Sequence, residues 1–277
     1  MADPGLRTQQ IHNTKYAYLE KGVEMVQLKS SAEIVKMQKA GRIVAQVFDA
    51  LQEIIRPGVS TYELDQRAEE VIRGEGAIPS FLNFGKPPFP GSICVSINEE
   101  VVHGIPSKHR FLKEGDIVSL DVGTILDGYQ GDAARTFPVG KISPEVAQLV
   151  KVTEECFWIG FEQAKAGNRL GDLSNAIQMH AESFGYGVVR ELTGHGIGRN
   201  MHEDPDVPNY GRKGHGLRIV PGLCIAVEPM ITLGKKEIEV LDDDWTIVTA
   251  DGKPASHYEN TIAVTEDGPI ITTKVDL

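Results

Sequence analysis

The chain is poor in cysteine and in clustered positive charge, and it has no long apolar run. Its three cysteines, Cys94, Cys156 and Cys224, form no CxxC pair. That excludes a zinc ribbon or a disulfide framework and reads as reduced thiols in a cytoplasmic protein. No run of Lys and Arg exceeds two residues, and the net charge is -11. A phosphate-binding face needs clustered cations, so sequence-specific nucleic-acid binding is not expected. No apolar stretch approaches the roughly 20 residues that span a bilayer, and the polar N-terminus lacks a signal-peptide core, so no membrane is expected as a partner. Residues 1–28, rich in polar and turn-forming types, read as an N-terminal extension with no assigned chemistry.

What is present is an ordinary globular composition. The 277 residues are 41% hydrophobic and 24% charged, enough to bury a large core. A single α+β domain is expected over 29–277, in two halves of about 29–140 and 141–277. Ser30 and Glu33 have capping-box spacing, and Ile34, Met37, Ile43, Val44, Val47 and Leu51 follow at helical intervals, which predicts a first helix stopping at Pro57-Gly58. Ser60 and Glu63 open a second, which ends near Gly74 to Gly76. Ser143-Pro144 opens a third that runs to Gly167, and a fourth spans about 171–184. Strand-like runs occupy 92–97, 117–122 and 133–139, then 187–193, 223–228, 237–241, 245–249 and 259–265.

The order repeats: two helices and strands, then two helices and strands. Gly58 and Glu63-Leu64 recur as Gly167 and Asp172-Leu173. Gly115, six residues before Asp121, recurs as Gly222, six residues before Glu228. Strand alternation puts Ser119 beside Asp121, and Cys224 and Ala226 beside Glu228, with Val118, Leu120, Ile225 and Val227 turned to the core. Each half is expected to return through a hairpin to a second carboxylate, Asp132 past the Asp127-Gly128 turn and Glu259 in the other half.

Asp121, Asp132, Glu228 and Glu259 with His195, which lies in Gly194-His195-Gly196, make a hard, oxygen-rich set. Such a set suits two divalent cations better than a structural zinc. Burying a carboxylate alone is costly, and a cation would remove that cost. His103 and His202 stand where imidazoles could donate to a carbonyl or its oxyanion. His12, His109, His180, His215 and His257 have no comparable context and read as surface or structural residues.

On these residues the chain resembles the type I methionine aminopeptidases in their bacterial form. The resemblance is carried by Ile97 to Pro106 (INExVxHGIP), Asp121 and Asp132, Gly194 to Glu203 (GHGIGRNMHE), Val227 to Met230 (VEPM) and Glu259. It covers the chain from about Leu28 onward and implies the pita-bread (creatinase/aminopeptidase) fold, two pseudo-symmetric helix-helix-strand halves around a curved antiparallel sheet. It also implies removal of the N-terminal methionine from peptides and nascent chains with a small second residue. One cation would then sit on Asp121, Asp132 and Glu259, the other on Asp132, His195, Glu228 and Glu259, the ions being Mn2+, Fe2+, Co2+ or Zn2+. A water activated by the cations would be the nucleophile, Glu228 the proton shuttle, His202 the partner of the scissile carbonyl, and His103 that of the scissile amide. The methionine pocket would draw on Phe81, Phe84, Phe89, Cys94, Met201 and Trp245, whose aromatic and sulfur atoms suit a thioether. The segment 83–90 departs from the family by its extra length and by Phe where Tyr is common. A monomer is expected, and ribosome contact would suit an enzyme of nascent chains although no motif carries it. The rival readings are a proline dipeptidase-like enzyme of the same fold, which would lack INExVxHGIP, and a non-catalytic peptide-binding protein, which should have lost ligands.

Overall fold

The computed structural model describes residues 15–17 and 26–274. The extension expected over 1–28 therefore lies largely outside the described residues. Its last three, Val26–Leu28, form a short strand, and Val26 is buried in the core of the second half. Among the described residues no helix is long and apolar enough to cross a membrane.

Local signals set the helices. Helix α1 spans Ser31–Gln52 and α2 spans Thr61–Gly74, each opened by a complete capping box, Ser30 with Glu33 and Ser60 with Glu63. Helix α3, Pro144–Gln163, has Ser143 as its cap and Pro in its first turn. Helix α4, Leu170–Ser183, has no such hydroxyl; the Asp172 carboxylate accepts the Arg169 N–H at 2.8 Å instead. Two helices end sooner than their apolar spacing implies. The Leu51 carbonyl accepts from both Ile54 and Ile55, turning the chain out of α1. Helix α3 stops at Gln163, and Gly167 follows at φ 99°, a conformation open to glycine without strain.

Each half has its own core. In the first, α1 and α2 cover Val95, Val118, Leu120 and Val122; in the second, α3 and α4 cover Leu223, Ile225, Val227 and Ile262. Val118, Leu120, Ile225 and Val227 thus face the helices, as alternation requires, and leave the opposite face of each strand for the site. Among the described residues all strand pairings are antiparallel.

In the first half Ile117–Leu126 and Tyr129–Pro138 form a hairpin of ten residue pairs. Asp127 and Gly128, at φ 51° and 75°, give its two-residue turn the twist that suits the strands. In the second half Gly194–Gly196, Cys224–Val227 and Asn260–Thr265 are neighbours in a five-stranded sheet. The return to Glu259 expected there is not a direct hairpin like the one in the first half. Between Cys224–Val227 and Asn260–Thr265 the chain makes four further strands, Met230–Thr232, Ile238–Val240, Ile247–Thr249 and Ala255–His257, before returning with Asn260 opposite Val227. The halves meet at the carboxylates themselves, where Ala134 and Glu259 exchange backbone hydrogen bonds at 2.9 and 3.3 Å. Beside them Thr261 Oγ1 donates to Asp132 O at 2.9 Å and accepts from its N–H at 3.2 Å.

Candidate active site

That seam brings the five expected metal ligands from four segments to one place. One ligand atom each of Asp132, His195 and Glu259 lies within 4.8 Å of the others, and all three residues are buried. His195 Nε2 lies 3.8 Å from Asp132 Oδ2 and 3.7 Å from Glu228 Oε1. Asp121 lies on the neighbouring strand of the hairpin, opposite Ala134 and two residues from the partner of Asp132.

The electrostatics of this cluster are unfavourable by themselves. Burial first, then the charges of Asp121 and Glu228, push the Asp132 carboxyl well above the usual carboxylate range. Burial, then Asp132, Glu228 and Asp121, does the same to Glu259. Burial and then Asp121 raise Glu228, and burial lifts Asp121 to about 7 against an opposing pull from Asp132. Among the described residues, the basic side chains within 4 Å of these carboxylates are histidines. Asp121 Oδ1, Asp132 Oδ1 and Glu259 Oε1 are buried without a hydrogen-bond partner. Converging, unsatisfied carboxylate oxygens are the donor set of a hard divalent cation, and the residues present fit one.

The imidazoles are arranged to complement that set. His195 Nδ1 lies 2.9 Å from the Gly196 carbonyl. A proton on Nδ1 donates there and leaves Nε2 a free lone pair toward the carboxylates. Burial lowers the His195 pKa to about 4, keeping the ring neutral as ligation requires. The His202 ring stands 4.3 Å from that of His195, exposed at the mouth of the site. Burial lowers the pKa of His103 to about 4, with His202 adding to it, and His103 sits at φ 59°, a strained conformation for a non-glycine residue.

His257 is the residue that sequence reasoning missed. It is 2% exposed, and its Nε2 lies 3.9 Å from Glu228 Oε2 and 3.7 Å from Glu259 Oε2. The available signal was its position two residues before Glu259, which favours a shared face in extended chain.

Three of the aromatic candidates pack beside His103 and His202. Phe84 packs on His202 with ring centroids 5.5 Å apart, Trp245 stands 6.0 Å from His103, and Phe89 packs edge-on against Trp245 at 5.2 Å. Trp245 Nε1 donates to Pro87 O at 3.1 Å, which ties the long 83–90 segment down. Phe81 and Met201 pack in a separate apolar cluster. There Gly123 makes room, since a Cβ at that position would lie 2.7 Å from Met201 Cε. Cys94 is buried opposite Asp121 on the adjacent strand.

The loop carrying Met201 and His202 is held by one buried ion pair. Glu203 Oε1 accepts the Arg199 and Asn200 N–H groups at 2.9 and 3.0 Å, while Oε2 meets Lys29 Nζ at 2.5 Å. Both side chains are 5% exposed. Removing one partner strands the other charge, so Lys29→Met is expected to cost about 3 kcal/mol in urea unfolding. A loss below about 1 kcal/mol would show the pair to be dispensable.

Residues 35–266 match the model of metallopeptidase family M24. The chain is 55% identical over 249 residues to a methionine aminopeptidase of Clostridium acetobutylicum, covering 90% of this chain and 99% of the relative. It superposes with a TM-score of 0.88 on the crystal structure of the Thermotoga maritima methionine aminopeptidase, at 42% identity and covering 90% of this chain and all of that one. The prolidase of Pyrococcus furiosus shares the fold alone, with a TM-score of 0.73 and 23% identity over 90% of this chain and 66% of its own. The architecture is thus the pita-bread fold, and the chain belongs to the methionine aminopeptidases of metallopeptidase family M24.

Proposed function

We propose that this chain hydrolyses the first peptide bond of peptides and nascent proteins that begin with methionine and carry a small second residue. Membership of a metallopeptidase family implies divalent metal use. One observation carries the site assignment: buried, unpaired carboxylate oxygens converge beside His195, flanked by two histidines and the aromatic rings beside them. Asp121, Asp132 and Glu259 would hold one cation, and Asp132, His195, Glu228 and Glu259 a second, the ions being Mn2+, Fe2+, Co2+ or Zn2+. The same reading has the enzyme act as a cytoplasmic monomer that meets nascent chains at the ribosome.

When bound, the cations supply Lewis acidity, neutralising the carboxylates and lowering the pKa of a water. The chain's own residues do the rest. Glu228 accepts the proton lost by the attacking water and passes it to the departing amine. His202 donates to the scissile carbonyl oxygen as it becomes anionic, and His103 holds the scissile amide. Burial lowers the pKa of His103 to about 4, and partial desolvation against its neighbours lowers that of the more exposed His202, so each offers an N–H as a neutral imidazole. Phe84, Phe89 and Trp245 would form the aromatic side of the methionine pocket, and Phe81, Met201 and Cys94 would complete it from the adjoining apolar cluster and strand. The carboxylate end receives the free α-amino group, which restricts cleavage to the first bond.

The test is metal-dependent release of Met from a Met-Ala-Ser peptide, with Mn2+, Fe2+, Co2+ and Zn2+ each supplied to the chelator-treated enzyme. Metal bound without turnover would leave a peptide-binding protein. Met-Lys-Ser is expected to react about 10²-fold more slowly in kcat/KM. Equal rates on the two peptides would contradict a tight second subsite.

A further inference from the structure

His257 lies outside the ligand set just described, yet it faces that set from within the protein. Its backbone is fixed on two sides. Its N–H donates to Thr136 Oγ1 at 3.1 Å, the Thr136 hydroxyl donates to its carbonyl at 2.9 Å, and Met230 pairs with it across the sheet. The ring is buried, and Nε2 has no hydrogen-bond partner. A buried polar nitrogen left unpaired is unfavourable and calls for an explanation.

The surroundings supply one. Glu228 turns Oε1 toward His195 and Oε2 toward His257, while Glu259 turns Oε2 toward His257 and leaves Oε1 without a partner. His257 therefore stands beside Oε2 of both carboxylates, which for Glu228 is the oxygen other than the one near His195. At 3.7 and 3.9 Å neither contact is yet a hydrogen bond, and each lies a few tenths of an ångström outside that reach. We propose that His257, as the Nε2–H tautomer, is a positioning residue that donates to the Oε2 atoms of Glu228 and Glu259 and fixes which oxygen each presents to a bound cation. Polar partners behind metal-binding carboxylates orient them and strengthen binding. This role rests on Glu228 and Glu259 being ligands, as proposed above.

The experiment is calorimetric titration of the chelator-treated, full-length protein with Mn2+, together with the thermal midpoint of the metal-free form. His257→Phe keeps the ring's bulk without a donor and is expected to weaken Mn2+ binding about 10–100-fold. His257→Gln restores an N–H donor and should bind within about threefold of wild type. The metal-free Phe variant should melt no lower than wild type, because it removes an unpaired buried nitrogen. Wild-type affinity in His257→Phe would overturn the inference, as would His257→Gln binding as weakly as the Phe variant. A lowered midpoint of the metal-free Phe variant would also overturn it, by making the role one of packing. Should the Phe variant not fold, His257→Leu replaces it in the same comparison. A wild-type protein that bound no Mn2+, nor Fe2+, Co2+ or Zn2+, would instead fail the metal reading on which the inference rests.

Discussion

Glu228→Gln is expected to lower kcat for Met release by about 10³-fold at saturating Mn2+ while moving KM only a few-fold. The side chain is placed for two tasks. Its Oε1 faces His195 among the other carboxylates, where it would help hold a cation, and a carboxylate at that point can also take a proton from water. Glutamine keeps the shape and one acceptor oxygen but has no negative charge and cannot serve as the base. The two tasks separate in a metal titration. If the loss were only of a ligand, raising Mn2+ would restore turnover, because occupancy follows concentration. If the loss is of the proton acceptor, turnover stays low at full occupancy. Activity within about tenfold of wild type at saturating metal would remove Glu228 from the proton-transfer role.

The parts of this molecule that were readable from sequence are those fixed by local chemistry. Ser30 with Glu33 and Ser60 with Glu63 satisfy helix N–H groups within three residues. Asp127-Gly128 likewise fixes a ten-residue hairpin register from two residues. Strand alternation placed Val118, Leu120, Ile225 and Val227 toward the helices because each strand is buried on one face by its own half. What escaped depends on partners distant in sequence. Gly194–Gly196, Glu203–Val207 and Ala255–His257 are strands of three to five residues, with glycine, proline or charge where a strand pattern should alternate. They exist because a neighbouring edge pairs with them, and no local propensity announces that. Within the excursion between Glu228 and Glu259, Ile238–Val240 and Ile247–Thr249 fall on expected runs, but Met230–Thr232 and Ala255–His257 were hidden for the same reason, and with them His257, whose strand pairs with Met230–Thr232. The exchange of hydrogen bonds between Ala134 and Glu259, on which the whole site turns, spans both halves and has no signature in either.

Removing the metal is expected to reverse the pH dependence of stability, and this is the widest physical consequence of the site. Asp121 is lifted to about 7, and Asp132, Glu228 and Glu259 stand well above the carboxylate range. In the unfolded chain all four are ionised above about pH 5. The metal-free folded state thus holds protons that the unfolded state has lost, and its stability falls as pH rises through the folded values, by up to about 1.4 kcal/mol per proton and pH unit. His103, His195 and His257 are lowered to about 4, 4 and 3. Their effect is a loss of stability as pH falls below about 6.5, and above pH 7 they are neutral in both states. The buried Cys156 and Cys224 thiols are raised to about 12 by burial and by groups outside the cluster and cancel in the difference, whereas Cys94 is raised by burial and then by carboxylates that include Asp121, Asp132 and Glu259, and goes with them. Bound cations need the carboxylates deprotonated, so their contribution grows with pH. At free Mn2+ about a thousandfold above Kd it is about 4 kcal/mol. Between pH 7 and 8.5 the metal-free protein should therefore melt at steadily lower temperature, and the gap to the Mn2+-loaded protein should widen. Scanning calorimetry at matched ionic strength reads both slopes. A gap that stays constant, or closes, over that range would mean that the four carboxylates are not the groups that release protons to the metal.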